Sequence, residues 1–111
     1  MNEKISQEAA KKIQELQILE QTIQNIMLQR QAFLLELNET NLALEELKLA
    51  DKDLYKIIGQ IMFKTSKEEL EKELKSKKEI LELKGKNLER QESGLKGRLM
   101  KLRDELMSNF G

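Results

Sequence analysis

The chain holds no cysteine, no histidine and no proline, and aromatics make up only 4% of it. Without cysteine there is no disulfide, no thiolate nucleophile and no thiolate metal site. Without histidine, general acid–base work falls to carboxylates or lysines, which here lie on solvated helix faces with no pocket to shift their pKa values. No run of 18 apolar residues exists, so no segment is expected to span a membrane. The start, Met1-Asn2-Glu3-Lys4-Ile5-Ser6, lacks the apolar core of a signal peptide, and these absences favour a cytoplasmic protein. A phosphate loop and a dinucleotide fingerprint are also missing; Gly94-Leu95-Lys96-Gly97 follows no strand. Glu45-Glu46 and Glu68-Glu69 read as a solvated face and a helix N-terminal charge bias rather than metal ligands. The expectation is therefore a protein without catalytic residues, cofactor or metal. Asn38-Glu39-Thr40 fits a glycosylation sequon but falls inside a helical stretch.

What is present is charge and leucine. Charged residues are 36% of the 111, the composition of long helices and coiled coils. Lys+Arg and Asp+Glu both number 20, so net charge points to neither nucleic acid nor membrane. The distribution is uneven: residues 1–53 carry 6 basic and 10 acidic side chains, and residues 54–111 carry 14 and 10. Halves of −4 and +4 are expected to lie side by side and attract. Lys75, Lys77 and Lys78 form a basic run, but Glu71, Glu73, Glu79 and Glu82 surround it and predict pairing along the helix.

The first helix is expected over 6–52, with Ser6 as N-cap. Its apolar positions follow a heptad: Ala9, Leu16, Ile23, Arg30, Leu37 and Leu44 on one stripe, and Ile5, Lys12, Leu19, Ile26, Phe33, Thr40 and Leu47 on the other. The second helix is expected over 67–109, opened by the capping box of Ser66 and Glu69. Leu74, Leu81, Leu88, Leu95 and Leu102 make an unbroken stripe; Glu71, Lys78, Gly85, Glu92, Leu99 and Leu106 make a poor one. Gly85, Gly94 and Gly97 each cost roughly 1 kcal/mol in a helix interior. Near-equal helices of about 65–70 Å with a short connector predict an antiparallel hairpin. Its register places Leu37 against Leu81, Arg30 against Leu88, Ile23 against Leu95 and Phe33 against Gly85, the ring filling the space of the missing side chain.

The connector, 53–65, reads as two strands around Gly59-Gln60, with Gly suited to a type II′ turn. Ile58 pairs with Ile61, Ile57 with Met62, Lys56 with Phe63 and Tyr55 with Lys64 in that reading. Leu54, Ile58, Ile61 and Phe63 fall on one face and Tyr55, Ile57 and Met62 on the other, so both faces are largely apolar. An isolated hairpin of this kind is marginal and should pair with strands of other chains. These seven residues are the candidate oligomerisation site. At the other end, Ile5, Ile13, Leu99, Met100, Leu106, Met107 and Phe110 exceed what a two-helix seam can bury and form a candidate binding tip.

Glu36-Leu37-Asn38-Glu39-Thr40, Ala43-Leu44-Glu45-Glu46-Leu47, Leu54-Tyr55-Lys56 followed by Gly59, and Leu88-Glu89-Arg90-Gln91-Glu92 stand in this order around one hairpin. Together they resemble the β-type subunits of the archaeal prefoldin family, related to the eukaryotic prefoldin subunit 6 class. The likeness covers nearly the whole chain. It implies a mainly α fold, a long antiparallel coiled coil whose hairpin joins an intersubunit β-barrel platform. It also implies a hexamer with α-type subunits and further copies of this chain, and an ATP-independent chaperone that holds non-native proteins at its tips and passes them to a group II chaperonin. Gly94 and Gly97 depart from that pattern. Two other readings remain: a structural or adaptor coiled coil of the tubulin-binding cofactor type, and a nucleic-acid-binding helical arm like those on some tRNA synthetases.

Overall fold

Long runs of Glu, Lys, Leu and Gln, unbroken by proline, propagate helix readily. The computed structural model describes the backbone of residues 2–110 and the side chains of residues 7–108. Its elements run α1 (Asn2–Leu49), β1 (Leu54–Ile58), β2 (Ile61–Thr65) and α2 (Lys67–Phe110). α1 therefore starts before Ser6, which lies inside the helix and is not its cap. It also stops three residues short of the expected end. The Ala50 N–H donates to the Leu47 carbonyl at 3.2 Å, an i→i+3 bond that tightens the last turn, and Asp51 and Asp53 beyond it are weak helix formers. α2 starts where the capping box predicts. The Glu69 N–H donates to Ser66 Oγ at 3.2 Å, and the Leu70 N–H to the Ser66 carbonyl at 3.0 Å. The Glu69 carboxylate does not complete the box; it accepts from the Thr65 hydroxyl at 3.5 Å.

The chain divides into two compact units. In the first, α1 up to Gln31 packs with α2 from Lys86 onward. Ala9, Leu19, Ile23 and Ile26 of α1 and Leu88, Leu102 and Leu106 of α2 are buried there. Three cross-helix pairs run in antiparallel order: Lys12 Nζ with Glu105 Oε2 at 3.7 Å, Glu20 Oε1 with Arg103 Nη2 at 3.1 Å, and Arg30 Nη1 with Glu92 Oε2 at 2.7 Å. Arg30 thus reaches Glu92, one turn beyond the expected Leu88, because a guanidinium in a seam needs a carboxylate that leucine cannot supply. Only the Glu20–Arg103 pair has the polarity that the charge split predicts; the other two are reversed.

The second unit, 32–85, holds the hairpin and the helix ends that carry it. Leu47 and Leu81 are its buried apolar side chains, and Leu37, Leu44 and Leu74 are half-buried. Thr40 is also buried and satisfies its hydroxyl locally, donating to the Glu36 carbonyl at 2.8 Å. Lys84 Nζ lies 5.7 Å from the centre of the Phe33 ring, which sets Phe33 beside the neighbour of Gly85. The proposed packing reason for Gly85 fails, however. A Cβ at Gly85 would meet nothing within 4 Å. The Lys84 ammonium stands over the ring face instead.

Candidate functional site

The hairpin follows from its turn. Gly59 has φ +61°, and no non-glycine residue has positive φ among the described residues. Gln60 is therefore not left-handed, which excludes a type I′ turn and fits type II′. The register is Leu54 to Thr65, Tyr55 to Lys64, Lys56 to Phe63, Ile57 to Met62 and Ile58 to Ile61. The four pairs from Tyr55–Lys64 to Ile58–Ile61 match the sequence expectation, and Leu54–Thr65 extends the ladder by one.

Two ionic contacts tie the hairpin down. Lys56 Nζ lies 2.7 Å from Glu73 Oε1 on α2, and Lys64 Nζ lies 3.9 Å from Asp53 Oδ2 at the strand base. Leu54, Lys56 and Thr65, on the face bearing Ile58 and Ile61, are half-buried. Toward the turn that shelter ends: Ile58 is 58% and Ile61 60% exposed. On the opposite face Ile57 and Met62 are 68% and 62% exposed, with Tyr55 exposed beside them, and Phe63 is exposed on the first face. Among the described residues the sheet has two strands, so each also has an open edge. Of the seven candidate residues, six are exposed and Leu54 is half-buried.

The other candidate cluster is brought together only in part. Ile13, Met100 and Met107 are exposed, and Leu99 is half-buried. Leu106 is buried inside the seam, so it serves the coil and is not surplus apolar surface. Its heptad spacing with Leu99 and Leu102 carried that signal. The side chains of Ile5 and Phe110 lie outside the described residues.

Two carboxylates among the described residues have displaced pKa values. Lys96 first, then Arg30, hydrogen-bond the Glu92 carboxylate and hold its pKa below the usual glutamate value, against the opposing effect of burial. The Glu71 carboxyl is likewise lowered, first by its hydrogen bond from Lys75, whose Nζ lies 2.9 Å away. Both shifts lead away from neutrality, where a general acid or base is useful. Glu45-Glu46 and Glu68-Glu69 are solvent-exposed, and no metal-holding group of three His, Cys, Asp or Glu side chains exists among the described residues. An open groove lined by Leu44, Leu47, Lys67, Glu71 and Lys75 lies near the helix ends. No described helix is long and apolar enough to cross a membrane.

Sequence reasoning missed two features. Glu92 was placed on a poor seam stripe, yet it is buried and pairs with the other misfit, Arg30; two opposite charges on facing stripes were the available signal. The second is an exposed leucine repeat on α1, Leu35, Leu42 and Leu49, hidden behind the stronger seam pattern.

Two helices joined by one apolar, exposed β-hairpin define the class to which known proteins can be compared. A family model described as prefoldin subunit matches residues 10–111. The prefoldin subunit beta of Saccharolobus islandicus strain L.S.2.15 is 35% identical over 115 aligned positions, covering 99% of this chain and 91% of the relative. That of Pyrobaculum neutrophilum is 38% identical over 91, covering 80% and 72%. The crystal structure of the prefoldin beta subunit from Thermococcus strain KS-1 matches with a TM-score of 0.85 at 34% identity, over 91% of this chain and 90% of that one. The chain belongs to the prefoldin family.

Proposed function

We propose that this chain is a β-type prefoldin subunit that assembles through its hairpin and acts as an ATP-independent holdase for non-native proteins. The observation that carries the reading is the hairpin, apolar and exposed on both faces with open edges. Such a surface is unfavourable in water and is stabilised by strands from other subunits. An intersubunit β-barrel with α-type subunits and further copies of this chain is the arrangement proposed here, in the cytoplasm. Clients are held at the end carrying the chain termini, by Ile13, Met100 and Met107, with Leu99 beside them. Flexible methionines suit surfaces that accept many shapes. Several such ends on one platform give avidity from weak contacts, and passage of the client to a group II chaperonin completes the cycle.

The test is suppression of aggregation of a denatured client diluted into buffer. Replacing Ile13, Met100 and Met107 together with serine should weaken protection, while helicity and oligomer mass stay as in the parent. These positions lie outside both the seam and the hairpin. Full protection by the triple variant would move client binding elsewhere on the chain.

A further inference from the structure

In the first unit α1 turns an uncharged side away from its seam. Leu28 stands two residues from the buried Ile26 and from Arg30, which reaches across to Glu92, and lies about 200° around the helix from each. Gln14, Gln17, Gln21, Gln24, Asn25 and Gln31 fall within about 60° of Leu28, and all are exposed. Ala10 and Ile13, also exposed, extend the arc toward the terminus. No charged residue from Gln7 to Gln31 falls inside it. Lys12, Glu20 and Arg30 are paired with α2, and Glu8, Lys11 and Glu15 lie farther round toward the seam.

The chain is 36% charged, and α2 of the same unit exposes Lys86, Glu89, Arg90, Lys101 and Asp104. The neutral arc is therefore a property of one face. Nucleic acid and an anionic membrane need cations that it lacks. A folded helix would find no charge on it to fix register or orientation. A side-chain amide both donates and accepts, so it suits the main-chain N–H and C=O groups that any unfolded chain exposes, whatever its sequence. A face without charge also neither attracts nor repels a client by the client's own charge. Ile13 belongs to the arc and to the client-holding end, so the two surfaces are continuous.

We propose that the amide face of α1, from Gln14 to Gln31, is a second client contact that takes the main chain of extended, non-native polypeptides without regard to their charge. The inference rests on the holdase reading and adds the chemistry that is recognised: peptide groups along the arm, beside apolar side chains at its end. Long, flexible glutamines can re-pack around different segments, as promiscuous surfaces do.

The test uses the full chain in its assembled form and three unstructured fluorescent peptides of equal length and leucine content, filled out with lysine, serine or glutamate. Binding is measured in about 0.1 M salt, where exposed charges more than about 10 Å apart are largely screened. The parent should bind all three peptides within roughly threefold of one another, as a neutral face does. Gln7→Glu with Gln14→Glu and Gln21→Glu should weaken the glutamate peptide roughly tenfold relative to the lysine peptide, and Gln17→Lys with Gln24→Lys and Gln31→Lys should invert that order. Helicity should stay as in the parent, since lysine and glutamate form helix as readily as glutamine. Lys86→Gln with Lys101→Gln and Ser93→Glu makes the same change of net charge on α2 as the glutamate variant and should leave the parent's order in place. An equal shift from the α2 variant, or no shift from the α1 variants, overturns the inference and leaves the holdase reading to its own aggregation test. A parent that already sorts the peptides by charge overturns it as well. A parent that binds none of them overturns it too, and failure to protect a denatured client besides would remove the holdase reading with it.

Discussion

The Glu92 carboxylate is 7% exposed, with Arg30 Nη1 2.7 Å from one oxygen and Lys96 Nζ 2.8 Å from the other. Because these partners lower its folded pKa, the unfolded chain binds the proton more readily. The contribution to stability is complete above the ordinary glutamate value of about 4.3, and it is lost as pH falls through that value to the lower folded one. Glu92→Gln should flatten the acid side of a thermal-melt profile across that window, and an unchanged slope would deny the pair its role. Arg30→Leu alone should destabilise more than Arg30→Leu with Glu92→Leu, because the single change leaves a buried carboxylate with one partner fewer. Gly85 gives a prediction of the opposite sign. With open space where its Cβ would stand, Gly85→Ala should stabilise by about 1 kcal/mol, the helix-propensity difference. A lowered melting temperature would show that something does press on that position.

At the scale of elements, what the sequence showed tracks how local the physics is. The hairpin pairs were readable because a two-residue turn with Gly59 first leaves one register and one side-chain alternation. The α2 start was readable because Ser66 and Glu69 cap within a single turn. The α1 ends were not, since competing formers on both sides of Ser6 and before Asp51 leave the boundary to small differences. The Arg30–Glu92 contact was legible as two misfits but not as a pair, because one helical turn of slip separates Leu88 from Glu92 and heptad spacing does not resolve it. Leu106 was misplaced for a related reason: a poor stripe still buries its leucines. The turn itself can be tested. Gly59→Val should loosen the hairpin strongly because a β-branched residue at φ +61° is strained, and Gly59→Asn should loosen it less, since asparagine is among the residues that primed turns accept. Amide exchange across β1 and β2 measures the difference; equal protection in both variants would mean that the turn does not set the hairpin.

For the whole molecule the question is what covers the hairpin. Ile58 and Phe63 lie on one face, and Ile58 is 58% exposed beside Ile61. In the isolated chain an aspartate at either position would stay in water at little cost. In an assembly where other strands bury this face, the same carboxylate loses its hydration without gaining a partner, a penalty of roughly several kcal/mol. That exceeds the roughly 0.2–1 kcal/mol of a single cross-strand contact. Ile58→Asp and Phe63→Asp should therefore lower the oligomer mass in sedimentation while far-UV circular dichroism stays helical, because α1 and α2 are held by seams that neither residue touches. The two measurements separate the rival accounts. Loss of helicity together with mass would make the hairpin a folding element of the coil. Retained mass would return assembly to the helices, where the leucine line of α1 is exposed in the same unit.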